Sequence, residues 1–212
     1  MRVRQRDVVL LERVGYTSMM AARTREKLTF ARYVALADAS PSKLELWAGE
    51  VIDMAGGTPA HADLAANILG LLFGELRDKP CRASTSDLRV ARNDADFAAY
   101  PDVTVTCGKR ELRDGDELSI TNPTVLFEVS SPSTEAYDRG QKFAQYRQLP
   151  SLREYVLVSH VEPSIEVFTR ADGGAWLLRV YREGERARLS SIDATLPVDE
   201  VYRGVELEQR GR

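Results

Sequence analysis

Apolar residues recur every three or four positions along residues 59–77, and this spacing predicts the clearest helix in the chain. The apolar positions lie on one face of that helix: Leu64, Ile68, Leu71, Leu72 and Leu76. A second helix is predicted to begin after Thr29, a suitable N-cap residue. A third is predicted to begin at Ser133 or Thr134 and to run to about Gln148, because Pro150 stops a helix.

Alternation of apolar and polar residues predicts strands elsewhere. Residues 43–47 and 50–54 flank Ala48-Gly49 and predict a β-hairpin. Residues 92–99 are predicted to be a turn and residues 109–117 a charged loop. Further strands are predicted at residues 87–91, 102–107, 124–129, 153–159, 165–169, 176–181 and 188–192. This order of elements predicts a mixed α+β (α/β) fold built around a mixed sheet.

The sequence of 212 residues shows no sign of a division into several domains. It contains no internal repeat and no low-complexity linker, so residues 28–212 are predicted to form one domain. Residues 1–27 are predicted to be an N-terminal arm that is poorly ordered or partly helical. No apolar run approaches the roughly 20 residues that a membrane span needs, so no membrane association is expected.

The cysteines, the histidines and the net charge limit the kinds of binding site that the chain can form. Cys81 and Cys107 belong to no paired motif, which excludes a zinc ribbon and predicts two separate thiols in a reducing cytoplasm. His61 and His160 are the two histidines, so a three-histidine metal site is excluded. Lys and Arg number 29 against 32 Asp and Glu, and the net charge of −3 argues weakly against tight non-specific DNA binding.

Asp102 and Glu128 are the candidate metal-binding carboxylates. Asp102 follows Pro101 at the start of a predicted strand, where its side chain can stand clear of the sheet. Glu128 ends the apolar run 125–127, and burying a carboxylate there costs several kcal/mol unless it is paired or bound to a cation. The alternative is an edge strand on which Glu128 faces water.

Asp138, Lys142 and Tyr146 recur every four residues and share one helix face. This arrangement allows two interpretations of Lys142. It extends toward the carboxylates and offsets phosphate charge, or it forms an exposed ion pair with Asp138 worth only about 0.3–0.5 kcal/mol. The spacing by itself favours the ion pair.

These features occur in one order along the chain: the hairpin at 44–50, Pro101-Asp102, the segment 128–134, the helix face of Lys142, and the strand at 153–158. In this combination the chain resembles the Uma-type family of proposed restriction endonucleases, within the PD-(D/E)XK nuclease superfamily. The resemblance covers residues 28–207. It implies a restriction-endonuclease-like core, with a mixed central sheet flanked by helices.

The resemblance also implies the site. Asp102 and Glu128 match the acidic pair that would hold Mg²⁺ or Mn²⁺, and Glu45 matches a further glutamate. Ser130 occupies the position of the superfamily lysine, so Lys142 is the candidate replacement.

The activity implied is hydrolysis of DNA phosphodiester bonds by a metal-dependent endonuclease that works as a homodimer. Substrate contacts are expected from His61 and Ser131. The alternative is a catalytically inactive protein that keeps the nuclease fold for binding or scaffolding. The serine at position 130 and the acidic net charge support that alternative.

Overall fold

The computed structural model describes residues 27–54, 56–131 and 134–207. The predicted N-terminal arm, apart from Lys27, lies outside the described residues. Helix α1 spans Phe30–Ala39 and α2 spans Pro59–Glu75, as the apolar spacing predicts. Each begins at a threonine N-cap whose side-chain oxygen accepts a hydrogen bond from a backbone N–H of the first turn: Thr29 for α1 and Thr58 for α2.

The third predicted helix is one helical run with a widened turn in its middle. It consists of α3 (Glu135–Tyr137), a π-helical turn (Asp138–Lys142) and α4 (Phe143–Tyr146). Such turns inside α-helices are frequent at functional sites, and this one carries Lys142. A short α5 (Val198–Val201) follows later. Within the described ranges, no helix is long and apolar enough to cross a membrane.

The strands form two six-stranded sheets and one two-stranded sheet in the described part of the chain. Their bounds are β1 Leu44–Trp47, β2 Glu50–Asp53, β3 Cys81–Thr85, β4 Arg89–Ala91, β5 Phe97–Ala99, β6 Val103–Cys107, β7 Leu112–Arg113, β8 Asp116–Ile120, β9 Val125–Val129, β10 Glu154–Val158, β11 Ser164–Arg170, β12 Trp176–Arg182, β13 Arg186–Leu189 and β14 Ala194–Pro197. The central sheet has the order β12-β11-β10-β9-β6-β3, and the second sheet β2-β1-β5-β4-β8-β7. β9 pairs parallel with β10 and antiparallel with β6, which confirms the mixed sheet.

The central sheet is covered on both faces. On one face lies α2, which buries its apolar stripe of Leu64, Ile68 and Leu72 there. On the other face, Leu126 of β9 packs in a second core cluster with Tyr146 of α4 and Phe97 of the second sheet. The second sheet and the third helical run therefore meet over β9, and this meeting point positions the site.

Two segments that were predicted to be irregular contain strands. Residues 109–117 form β7 and the start of β8, and residues 92–99 end in β5. These strands are short and pair with distant partners, β8 with β4 and β5 with β1. Long-range pairing decides their conformation, because short strands carry little local preference. The strand predicted at 188–192 ends earlier, at Leu189, and continues as a 3₁₀ turn.

The prediction of two separate thiols is wrong. Cys81 and Cys107 lie directly opposite each other on the antiparallel strands β3 and β6, with Cα atoms 3.9 Å apart, and form a disulfide. They are 26 positions apart in the sequence, and only the register of the two strands brings them together. Because β3 is an edge of the central sheet, the disulfide ties this edge to its neighbour.

Candidate active site

The ammonium of Lys142 lies at the centre of a buried group of carboxylates. Its Nζ is 3.0 Å from Oε1 of Glu128, 3.4 Å from Oε1 of Glu45 and 3.8 Å from Oδ1 of Asp138. Each of the four side chains is at most 6% exposed. We call these four residues the carboxylate–lysine cluster. The structure thus brings together three predicted site residues, Glu45, Glu128 and Lys142.

Glu128 reaches this cluster because of the alternation along β9. Val125, Phe127 and Val129 belong to the core under α2, so Leu126 and Glu128 point to the opposite face. β9 lies between β6 and β10 in the interior of the sheet, and Glu128 is 3% exposed. The alternative of an edge strand with a water-facing Glu128 is therefore wrong.

Lys142 combines the two interpretations that its spacing allowed. It pairs with Asp138 four residues earlier, but that carboxylate is the most distant of the three and Glu128 is the nearest. The pair is also buried, with Asp138 3% and Lys142 5% exposed. An isolated exposed ion pair is therefore the wrong description, and Lys142 contacts the predicted acidic residue directly.

Glu45 joins the hairpin to the segment that carries Asp102. It lies on β1, and its Oε1 accepts a hydrogen bond of 2.9 Å from the backbone N–H of Tyr100. The same oxygen is 3.4 Å from Nζ of Lys142. Glu45 therefore holds both the ammonium of Lys142 and the backbone of Tyr100, which lies two residues before Asp102.

Asp102 lies beside the cluster, at the start of β6. Its Oδ2 accepts a hydrogen bond of 2.7 Å from the backbone N–H of Val129, the residue after Glu128. His61, in the first turn of α2, places Nε2 3.1 Å from the same oxygen. The Asp102 side chain is 11% exposed and that of His61 21%, so this side of the site opens to solvent. The prediction that the strands of Asp102 and Glu128 are neighbours is confirmed.

Tyr146 contacts the site, although no role was predicted for it. Its hydroxyl donates a hydrogen bond of 2.9 Å to Oε1 of Glu128, the oxygen that also faces Lys142. The ring is fully buried and packs edge-on against Phe97 and at a tilt against Tyr155. The signal was present, because Tyr146 follows Lys142 by four residues on one helix face.

The serines after Glu128 have different surroundings. Ser130, at the superfamily lysine position, is buried, donates to the carbonyl oxygen of Val158 and lies 3.0 Å from Nδ1 of His160. The Ser131 hydroxyl accepts a hydrogen bond of 3.2 Å from the backbone N–H of Thr134. The substrate contact of Ser131 stays a prediction. The cation of the site comes from Lys142 rather than from position 130.

Burial and charge act against each other in the cluster. Burial raises the pKa of Glu128 and that of Asp138, and the nearby ammonium of Lys142 offsets only part of this effect. Burial lowers the pKa of Lys142, but the surrounding carboxylates outweigh it and hold this pKa well above its usual value. The hydrogen bond to Asp102 raises the pKa of His61. Lys142 therefore stays protonated at neutral pH.

The donor set suits a hard divalent cation. Among residues 27–54, 56–131 and 134–207, no three His, Cys, Asp or Glu side chains form a ready-made metal cage. Mg²⁺ does not need one, because it keeps several waters and takes only one or two protein carboxylates beside substrate phosphate. Asp102 and Glu128 supply carboxylate oxygens on adjacent strands. Carboxylate oxygens are the protein ligands that this shared form of coordination uses.

Several known proteins are similar to this chain. Two are from Synechocystis sp. strain PCC 6803. The uncharacterized protein slr1290 is 35% identical over 179 residues, which cover 84% of this chain and 93% of the relative. The uncharacterized protein sll1609 is 32% identical over 171 residues, which cover 81% and 96%.

A solved structure is similar in fold. It is described as a putative nuclease belonging to DUF820 from Anabaena variabilis, with a TM-score of 0.68 and 15% identity, covering 82% of this chain and 97% of that chain. Residues 30–199 match the family Uma2, described as "Putative restriction endonuclease". The match includes every predicted site residue. The chain therefore belongs to the Uma2 family and has a mixed α+β, restriction-endonuclease-like fold.

Proposed function

We propose that this protein is an endonuclease that depends on Mg²⁺ or Mn²⁺ and hydrolyses DNA phosphodiester bonds. The observation that carries the proposal is the imbalance of buried charge at the site. One ammonium faces three carboxylates, and the Asp102–His61 pair lies alongside. Buried carboxylates in excess are costly unless a cation accompanies them. A divalent ion and a phosphate together complete such a site.

Asp102 and Glu128 are the residues that would hold the ion. When bound, the ion supplies a Lewis acid that polarises the phosphoryl oxygen and acidifies a bound water. Asp102 is held for this role by the backbone N–H of Val129. Glu128 is held by the Tyr146 hydroxyl. Both carboxylates are therefore oriented before substrate arrives, which avoids reorganisation during the reaction.

Lys142 supplies the positive charge that stabilises the transition state. Its protonated ammonium offsets negative charge as it develops on the phosphate, a role that a preorganised cation in a water-poor site performs well. Glu45 and Asp138 hold the lysine side chain in place. His61 lies on the solvent side of Asp102, where its imidazole can contact substrate phosphate.

The experiment is a cleavage assay on supercoiled, linear double-stranded and single-stranded DNA with Mg²⁺, with Mn²⁺ or with EDTA. Asp102→Asn is expected to lower cleavage about 100-fold or more, because a bound metal ion contributes several kcal/mol to transition-state stabilisation. Calorimetry should show that Mn²⁺ binding is lost as well. The melting temperature should change little, because the asparagine oxygen can still accept from Val129.

Asp87→Asn is the matched control, since it removes the same charge from a side chain that is 83% exposed and paired with Lys43. It should cleave DNA and bind Mn²⁺ like the wild type. Identical Mn²⁺ binding in the wild type and Asp102→Asn would rule out this metal site. A wild-type protein that binds DNA but cleaves none of the three forms with either metal would favour the binding or scaffold alternative.

A further inference from the structure

Tyr137 lies beside the carboxylate–lysine cluster, at the end of α3. Its ring packs edge-on against the ring of Trp47 on β1, with the two centroids 5.2 Å apart. The Nζ of Lys142 lies 5.9 Å from the centroid of the Tyr137 ring, within the range of a cation–π contact. The tyrosine is only partly buried. It is therefore a neighbour of the Lys142 ammonium that a ligand in solution can reach.

The π-helical turn brings Tyr137 and Lys142 together. In a regular α-helix, residues five apart point to different sides, because one turn takes about 3.6 residues. Here the backbone N–H of Phe143 donates to the carbonyl oxygen of Asp138, five residues earlier. This wider turn aligns residues that are five apart. The irregular turn thus has a local consequence, which is to place the tyrosine on the same side as the ammonium.

Packing accounts for the ring of Tyr137 but not for its hydroxyl. The hydroxyl makes no hydrogen bond to any residue that the structure describes, and solvent reaches it. A phenylalanine would make the same contacts with Trp47 and Lys142. Tyr146 and Tyr155, which belong to the same core cluster, donate their hydroxyl protons at 2.9 and 3.0 Å within the protein. Tyr137 therefore keeps a donor that the fold does not use.

The charges around this hydroxyl keep it protonated. Burial raises the pKa of Tyr137, and the carboxylates of the cluster raise it further, with Glu45 the strongest of them. The ammonium of Lys142 opposes this effect only in part. At neutral pH the group is a neutral phenol and can donate one hydrogen bond.

We propose that Tyr137 is a further substrate-binding residue, whose hydroxyl donates a hydrogen bond to a non-bridging oxygen of the scissile phosphate. This inference rests on the proposed nuclease function. Phosphate oxygens are strong acceptors, and a bond to a charged oxygen is stronger than one between neutral groups. The ammonium of Lys142 attracts the phosphate without fixing its orientation, because it is a point charge on a flexible stem. The phenol, held by its ring contacts, supplies the second, directional contact.

Tyr137→Phe removes the hydroxyl and keeps the ring. It is expected to lower kcat for DNA cleavage about 10- to 100-fold, the scale of one hydrogen bond to a charged group. The melting temperature should not change. Tyr181→Phe is the matched control, because Tyr181 is 9% exposed and packs in the core on the α2 side of the central sheet. It should cleave like the wild type, and a wild-type rate for Tyr137→Phe would overturn the proposal.

A substrate with sulfur at one non-bridging position of the scissile phosphate separates a direct contact from a structural effect. Sulfur is a weaker hydrogen-bond acceptor than oxygen. The wild type should therefore lose most of its advantage over Tyr137→Phe on one of the two phosphorothioate diastereomers and keep it on the other. An equal advantage on both would mean that the hydroxyl does not touch the phosphate.

Binding without turnover tests the contact apart from the reaction. The protein, labelled with ¹³C at the phenolic carbon of its eight tyrosines, is titrated in Mg²⁺ with thymidine 5′-monophosphate or with thymidine. Neither probe contains a phosphodiester bond. The signal that Tyr137→Phe removes should move with the nucleotide and not with the nucleoside, and the signal that Tyr181→Phe removes should stay in place.

The two measurements distinguish the two proposals. DNA cleavage by the wild type with an unmoved Tyr137 signal, or with equal responses to both probes, would reject the role of Tyr137 and leave the nuclease function standing. A Tyr137 signal that responds to the nucleotide alone, in a protein that cleaves no DNA, would support the phosphate contact and reject the nuclease function.

Discussion

Two buried ionic clusters in the described part of the chain differ in their balance of charge. Arg89, 1% exposed in the second sheet, donates hydrogen bonds of 2.6 Å to Asp116 and Ser119. A third, of 3.3 Å, goes to the Tyr100 hydroxyl. In this Arg89 cluster one guanidinium meets one carboxylate. In the carboxylate–lysine cluster one ammonium meets three carboxylates.

The pKa shifts follow that difference. Burial raises the pKa of Asp116, but hydrogen bonds from Ser119 and Leu118 and the charge of Arg89 outweigh it, so the pKa is lowered overall. In the carboxylate–lysine cluster the single cation leaves the pKa of Glu128 and that of Asp138 raised. A balanced cluster is complete as a structural element. An unbalanced one retains a negative excess that suits a cationic ligand.

The balanced cluster also supports the unbalanced one. Tyr100 accepts a hydrogen bond from Arg89 through its hydroxyl and donates one to Glu45 through its backbone N–H. Asp102 follows two residues later. The Arg89 cluster in the second sheet therefore holds the segment that places the Asp102 carboxylate in the candidate active site.

Lys142→Met is expected to have the largest effect. DNA cleavage should fall about 100- to 1,000-fold, because a cation aimed at developing charge is lost. The free energy of unfolding should also fall by about 3–5 kcal/mol, because buried carboxylates lose the ammonium that contacts all three. Urea unfolding and cleavage rates measure the two effects. Lys43→Met, which removes a partly exposed lysine, should change stability by about 0.5 kcal/mol or less. Cleavage by Lys142→Met at the wild-type rate would refute the catalytic role.

Arg89→Met should destabilise the fold by a similar amount and weaken metal binding less than Asp102→Asn does, because Arg89 contacts the segment that leads to Asp102 only through Tyr100. Asp116 would remain buried without its cation, at a cost of about 3–5 kcal/mol. A double variant with Asp116→Leu should recover most of the loss, since a balanced pair can often be replaced by apolar residues. Calorimetry with Mn²⁺ supplies the second measurement. A double variant that stays as unstable as Arg89→Met would show that the pair itself contributes the stability.

Asp116→Asn tests the sign of the pKa shift in the balanced cluster. The pKa of Asp116 in the folded protein lies below its ordinary value of 3.8. Its contribution to stability is therefore present above pH about 4 and is lost as pH falls through the folded pKa. At pH 7 the variant should lose about 1.5–3 kcal/mol, and the gap to wild type should close in acid. Urea unfolding from pH 7 to pH 2 measures the difference in free energy of unfolding between the two proteins. A difference that does not depend on pH would contradict the lowered pKa of Asp116.

Asp138→Asn, the matched change in the unbalanced cluster, should have the smallest effect and the opposite pH dependence. The folded pKa of Asp138 lies above the ordinary value of 3.8, so wild-type stability falls as pH rises through the window between the two. The variant should lack that fall and, at pH 7, match or exceed the wild type by about 1 kcal/mol at most. A loss as large as that of Asp116→Asn would mean that the two clusters are equally balanced.

Local pattern by itself determined the elements whose stability is local. The stripe of α2, the N-cap at Thr29 and the turn at Ala48-Gly49 could be located without the fold, because spacing and capping act within a few residues. The apolar run of β9 indicated that Glu128 is buried, and the structure confirms its burial. The order of motifs also indicated the family, which the match over residues 30–199 confirms.

Tertiary structure decided everything that depends on residues distant in sequence. The spacing of Lys142 fits a weak pair with Asp138, and only the packing of the helical run over β9 places its ammonium 3.0 Å from Glu128. Glu45 reaches the lysine because β1 pairs with β5, and Cys81 meets Cys107 through the register of β3 and β6. Pairing of this kind gains its energy from contacts that form only once the chain has folded, so no local pattern encodes it.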